Sequence, residues 1–134
     1  MESGLAGVRF VEEHGVPRRI SDPTATPVIE RADVGDVDAA RRLFRRAAHR
    51  TIDPVRDRTV GALVVRIAHE DGPRIGWCLW AHHLILDGYG YALLRRRIGR
   101  IYAALAEGTE PTASRLITPE SLPAPEPALS LIHI

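Results

Sequence analysis

Apolar and polar residues alternate near the start of the chain with the two-residue period of β-strands. Val8 to Glu12 and a second extended piece that reaches Ile20 flank the turn residues Gly15-Val16-Pro17. This pattern predicts a β-hairpin. A loop from Ser21 to Pro27 follows, and Val28 to Ala32 is predicted as a further short strand.

Two later segments have the period of amphipathic helices. Asp36 is predicted as the N-cap of the first helix. In the segment that follows, VDAARRLFRRAAHR, arginines occupy one side of the helix and apolar residues share the other: Val37, Ala40, Leu43, Phe44, Ala47 and Ala48. The second helix is predicted from Gly88 to about Glu107, with Gly108 as its stop signal. Its apolar face consists of Tyr91, Leu94, Ile98, Ile101, Tyr102 and Leu105.

A pair of strands is predicted between these helices. Val60 to His69 and Arg74 to His83 flank Asp71-Gly72-Pro73, a combination typical of an antiparallel hairpin. Alternation along the second strand places Trp77, Leu79, Ala81 and His83 on one face and Cys78, Trp80 and His82 on the other. Because both faces are apolar, we expect this strand to be buried and central. The order of elements indicates an α/β or α+β sandwich.

The bulk composition excludes several classes of protein. The chain has 134 residues and a net charge of +1, which predicts neither a nucleic-acid nor a membrane partner. No apolar run is long enough to span a bilayer, and the N-terminus lacks the pattern of a signal peptide. Cys78 is the only cysteine, so neither an intrachain disulfide nor a cysteine-based zinc site is expected. We therefore expect a cytoplasmic protein.

The segment with the strongest chemical content runs from Trp80 to Gly90. Two adjacent histidines, His82 and His83, follow the predicted strand, and Asp87 occupies the N-cap position of the helix that Gly88 opens. Backbone N–H groups at a helix start can stabilise a developing oxyanion, and histidine suits proton transfer at neutral pH. Two histidines and an aspartate can also bind a metal. Histidines on opposite strand faces would disfavour that reading.

His82-His83-Leu84-Ile85-Leu86-Asp87-Gly88 matches the HHxxxDG motif of condensation domains in nonribosomal peptide synthetases. These domains belong to the superfamily that includes chloramphenicol acetyltransferase. The strand pair from Gly7 to Arg19, the stretch from Asp53 to Arg66, and the segment from Ile101 to Thr112 also resemble that family. Roughly residues 5 to 115 are covered. The resemblance implies one lobe of a two-layer α/β sandwich.

The resemblance also implies roles for the motif residues. His83 is expected to be the catalytic histidine, which either removes or positions the proton of an attacking amine, while His82 and Asp87 support the site and Gly88 allows close approach of substrates. No cofactor or metal is expected to bind directly, since the substrates are carried on phosphopantetheine arms. The implied partners are peptidyl and aminoacyl carrier domains, an adenylation domain and a second lobe of the same polypeptide.

Other readings stay open beside this one. An epimerase-type domain or an ester-forming acyltransferase would share the motif, and a non-catalytic carrier-docking module is an alternative from another class. The chain is expected to hold most of one lobe over residues 1–107 and to lack the arginine that usually pairs with Asp87. Residues 108–134 are predicted as a proline-rich linker or disordered tail. The final LSLIHI departs from the composition of that tail, so its origin as non-native coding sequence stays open.

Several residues have simpler structural explanations. Cys78, Trp77 and Trp80 are expected in the core. The arginines at 95–97 and Arg100 are predicted to form a solvated helix face, with a carrier-domain contact as the alternative.

Overall fold

A computed structural model describes residues 7–22 and 24–113 of the chain. The elements in this part are β1 (Val8–Glu13), β2 (Val16–Ser21), β3 (Val28–Val34), α1 (Val37–Ala48), β4 (Val60–Ile67), β5 (Arg74–Ala81) and α2 (Gly88–Ala106). The predicted α/β class is confirmed. The predicted division at residue 107 stays a prediction, because most of the tail lies outside the described residues.

Strands β1 and β2 form the predicted hairpin. They pair antiparallel, with Val8 opposite Ser21 and Glu13 opposite Val16. The two residues between them, His14 and Gly15, have φ angles of 54° and 78°. Positive φ at both central residues of a two-residue loop matches the right-handed twist of the strands, and glycine adopts it without steric cost.

The second sheet has the order β3-β4-β5. β3 pairs parallel with β4, α1 connects them, and β4 pairs antiparallel with β5. The prediction that the strand before the histidines is central was wrong: within the described residues β4 is central and β5 lies at the edge. Apolar residues on both faces of β5 suggested that both faces are buried. In the structure Ile75 and Trp77, which lie on one face, are 56% and 42% exposed.

The core lies between α1 and one face of this sheet. Its buried residues are Ala40, Ala47, Leu63, Val65, Ile67 and Trp80. Phe44 packs directly onto the backbone of β5, since a Cβ added at Gly76 would lie 2.8 Å from its Cζ. Cys78 packs against the core as a half-buried residue, in agreement with its predicted role. Trp77 was wrongly predicted as core, because it lies on the face of β5 opposite α1.

Helix α2 begins and ends close to its predicted limits. Glu107 is its C-cap, and Gly108 follows with a φ of 71°, the left-handed conformation that ends many helices. None of its residues is buried. Arg95, Arg96 and Arg100 are exposed as predicted, whereas the guanidinium of Arg97 donates a hydrogen bond to the carbonyl of Thr112. Neither helix of the described part is both long and apolar enough to cross a membrane.

Candidate active site

The two histidines lie in a turn, not on the strand. β5 ends at Ala81, two residues before the predicted end. The His82 N–H donates to the Thr59 carbonyl at 2.8 Å, and the His82 carbonyl then accepts from the N–H groups of Ile85 and Leu86 at 2.9 and 3.3 Å. Strand alternation therefore does not decide where His82 and His83 point. The turn decides it.

His82 is built into this turn by its side chain as well as its backbone. Its Nδ1 accepts a hydrogen bond from the Leu84 N–H at 3.1 Å, and the residue is half-buried. An imidazole used in this way closes the turn and holds the neighbouring residue. The supporting role that the motif implies for His82 stays a prediction.

His83 is exposed and lines a cleft of about 470 Å³. The C-terminal end of α1, the end of β5 and the start of α2 form the walls, and most of the side chains around it are apolar: Ala47, Ala48, Ile52, Cys78, Leu79, Trp80, Ala81 and Leu86. Asp87, Gly88, Tyr91 and Arg50 complete the lining. His83 is thus accessible to a ligand in a largely apolar cleft, beside a helix N-terminus.

Asp87 is the N-cap of α2, as predicted. Its backbone is extended, its carboxylate accepts from the Gly90 N–H at 2.7 Å, and its carbonyl accepts from the Tyr91 N–H at 2.9 Å. No arginine forms an ion pair with this carboxylate in residues 7–22 and 24–113. The carboxylate therefore serves the helix start, next to His83.

The first backbone amides of α2 are available to a ligand. Within the described part of the chain, the N–H groups of Gly88 and Tyr89 have no hydrogen-bond partner. They carry the positive end of the helix dipole. A Cβ at Gly88 would meet nothing within 4 Å. Gly88 therefore leaves open space at the helix start.

Two further residues, which the sequence did not single out as site residues, shape the cleft. The Tyr91 hydroxyl donates to the Leu79 carbonyl at 2.8 Å and fixes the start of α2 against β5. Arg50 forms an ion pair with Glu30 and lies over the ring of Trp80. The apolar stripe of α2 included Tyr91 without indicating its hydrogen bond. Nothing in the local pattern around Arg50 indicated its contacts.

The ionisation of the groups around Arg50 follows from these contacts. The hydrogen bond from Arg50 holds the pKa of Glu30 below its ordinary range, and the same contact raises the pKa of Arg50. Burial raises the pKa of the Cys78 thiol, although Arg50 opposes that effect. Cys78 therefore lines the cleft as a protonated thiol at neutral pH, which is a poor nucleophile.

Comparisons with known proteins give one similar sequence and several solved structures of similar fold. No protein-family model matches the chain. The chain is 34% identical over 117 residues to the isonitrile lipopeptide synthase of Streptomyces coeruleorubidus, a match that covers 84% of this chain and 8% of that synthase.

Solved structures give the fold. VibH, a condensation enzyme of nonribosomal peptide synthesis, matches with a TM-score of 0.66 and 26% identity over 84% of this chain and 26% of its own. The starter condensation domain of rhizomide synthetase RzmA matches with a TM-score of 0.64 and 21% identity over 86% of this chain and 28% of its own. The epimerization domain of tyrocidine synthetase B matches with a TM-score of 0.59 and 18% identity.

The chain therefore has the condensation-domain fold. More particularly, it is similar to part of the condensation domains of nonribosomal peptide synthetases, and the resemblance predicted from the sequence is confirmed. It spans 26–28% of the VibH and rhizomide synthetase chains, as expected for part of one lobe.

Proposed function

We propose that this chain is the His83-bearing part of a condensation domain that joins a carrier-bound acyl or peptidyl thioester to a carrier-bound aminoacyl amine. The observation that carries the proposal is the exposed imidazole of His83 in a cleft beside the N-terminus of α2, within a condensation-domain fold. The substrates would arrive on phosphopantetheine arms, so the domain needs no resident cofactor.

The residues of the cleft suit this reaction. His83 would accept or position the proton of the amine while the amine nitrogen attacks the thioester carbonyl. The carbon–nitrogen bond forms, the carbon–sulfur bond breaks, and the departing thiolate takes up a proton to become the free pantetheine thiol. The unpaired amides at the start of α2 would stabilise the negative charge on the carbonyl oxygen in between.

The remaining motif residues would act indirectly. His82 keeps the turn closed through its Nδ1, and Asp87 caps α2 through Gly90. Gly88 leaves space at the helix start. Together these features would determine where His83 and the α2 amides lie relative to a substrate.

The proposal is tested by replacing His83 with alanine in the synthetase that contains this chain. Amide product is measured from a donor carrier and an acceptor carrier that have both been loaded. We expect His83→Ala to reduce turnover by about 10²–10⁴-fold, the usual contribution of a positioned acid–base group. Arg42→Ala is the matched control, because Arg42 is exposed on α1 and does not line the cleft. Unchanged product formation by His83→Ala would refute the catalytic role and favour a docking module.

A second candidate function follows from the likeness to an epimerization domain. An epimerase would exchange the α-proton of a carrier-bound aminoacyl group without consuming a donor thioester. Incubation of a loaded acceptor carrier in deuterated water separates the two reactions. We expect amide formation without α-deuteration. Deuterium at the α-carbon without amide product would favour the epimerase, and transfer to a hydroxyl acceptor would favour an ester-forming enzyme.

We expect the 134-residue chain alone to give no measurable turnover. It spans about a quarter of the solved condensation-domain chains. The resemblance to that family also implies an active site that lies between two lobes. Amide formation by the purified chain from two loaded carriers would contradict this expectation.

A further inference from the structure

We propose that Arg50 is a positioning residue for His83, which acts by holding Trp80 and with it the end of β5. This inference rests on the proposed function for its kinetic consequences. The placement of the histidine turn can be tested without any activity. Arg50 lies in the loop after α1, 33 residues from His83 in the sequence, and both side chains line the same cleft.

Three contacts determine the position of Arg50 and Trp80. The two terminal nitrogens of Arg50 lie 2.8 and 3.0 Å from the two carboxylate oxygens of Glu30 on β3, a bidentate arrangement that fixes the guanidinium plane. Its central carbon lies 4.3 Å from the centre of the Trp80 ring, within the range of a cation–π contact. The indole also lies against Gly61 on β4, where a Cβ would come within 2.4 Å of its Cζ2.

These contacts matter because the end of β5 is paired on one side only, with β4, and is otherwise held by the hydrogen bond from the Tyr91 hydroxyl to the Leu79 carbonyl. The strand lies at the edge of the sheet and pairs only with β4 among the described strands. Trp80 is the last buried side chain before the turn, and His83 follows three residues later. The turn itself is closed mainly by its own hydrogen bonds. Among the described residues, one backbone hydrogen bond links the turn to the rest of the sheet, from the His82 N–H to the Thr59 carbonyl.

A merely structural role for the Arg50 pair predicts something different. Surface ion pairs usually contribute little to stability, and the side chains of Arg50 and Glu30 are 35% and 39% exposed. If the pair only stabilised the fold, its loss would lower the protection of all elements alike. If it positions the turn, its loss would be felt at residues 82–84 and not in the β1–β2 hairpin.

Amide hydrogen exchange of the 134-residue chain tests the placement directly. In Arg50→Gln we expect the N–H groups of His82 and Leu84 to exchange about 5- to 10-fold faster, the loss expected for a partly buried cation–π contact. The β1–β2 amides should be unchanged. Arg50→Lys retains the charge and should restore part of the protection, and it covers the case in which Arg50→Gln fails to fold. Unchanged exchange at His82 and Leu84, or equal acceleration throughout the chain, would overturn the inference.

Kinetics of the synthetase that contains this chain test the consequence for His83. We expect Arg50→Gln to lower kcat about 10-fold or more, because small displacements of a reacting group are costly, while KM for both loaded carriers stays unchanged. Arg50→Lys should recover part of kcat. A change in KM alone would overturn the positioning role. Failure of the proposed function is seen separately, as unchanged turnover in His83→Ala.

Discussion

Replacing Gly61 with alanine tests the packing that supports the site. Gly61 lies directly across from Trp80 in the β4–β5 register. A Cβ at this position would lie 2.4 and 2.6 Å from Cζ2 and Cε2 of the indole and 2.8 Å from the Val28 carbonyl oxygen. Carbon atoms in contact are usually about 3.5–4.0 Å apart. The indole must therefore move by roughly 1 Å or the strands must separate.

The expected cost follows from three contributions. Overpacking a buried site costs about 1–3 kcal/mol. Displacing Trp80 from Arg50 would add about 0.5–1 kcal/mol for the weakened cation–π contact. Alanine restricts the unfolded chain more than glycine does, which offsets about 0.4–1 kcal/mol. We expect Gly61→Ala to lower the free energy of unfolding by about 1–3 kcal/mol, a large share of the stability of a small domain.

Urea denaturation of the chain, followed by tryptophan fluorescence, measures this difference. Gly99→Ala is the matched control, because Gly99 lies inside α2 with nothing within 4 Å of an added Cβ. Alanine there should stabilise the chain by about 0.5–1 kcal/mol. In a Trp80→Leu background the cost of Gly61→Ala should shrink, since the main clash is removed. A Gly61→Ala midpoint equal to wild type, or an undiminished cost in that background, would refute the packing account.

Three further predictions concern single contacts. Asp36→Ala should lower the free energy of unfolding by about 1 kcal/mol in urea denaturation, because the N-cap bond to the Ala39 N–H at 2.7 Å is lost, whereas Asp36→Asn should stay near wild type. Burial raises the pKa of Cys78, so iodoacetamide should alkylate it much more slowly in the folded chain than in urea; equal rates would contradict this. Arg50 lowers the pKa of Glu30, so that contribution is present above the unfolded pKa of about 4.3 and lost as the pH falls through the folded value. Wild type should therefore lose more stability than Glu30→Gln between about pH 5 and pH 3, and identical acid profiles would count against the pair.

The elements were predictable because their signals are local. Gly15 marked the first hairpin, Asp36 and Asp87 marked the helix starts, and Gly108 marked the end of α2. Such caps and turns depend on the preferences of a few adjacent residues, and no distant contact overrides them here. The place of β5 in the sheet was not predictable in this way. Apolar residues on both faces suggest a central strand, but Trp77 is partly exposed at an edge.

The motif residues could be predicted from one short segment, whereas the residues that pack around them could not. His82, His83 and Asp87 are near neighbours in the sequence, so one short segment indicated the candidate site. Arg50 and Glu30 come from a loop and a different strand. Arg50 meets both Glu30 and Trp80 only because β3 and β5 both flank β4, and no single segment of the sequence indicates the register of those strands.

The accessibility of His83 shows how a correct expectation can have an incorrect cause. Strand alternation predicted that His82 and His83 separate because they continue β5, and the strand in fact ends at Ala81. The histidines differ because the turn uses them differently. The Nδ1 of His82 accepts the Leu84 N–H and closes the turn, and His83 is left exposed at the cleft. A substitution that keeps the strand intact but opens this turn should therefore move His83, whereas alternation alone would predict no effect.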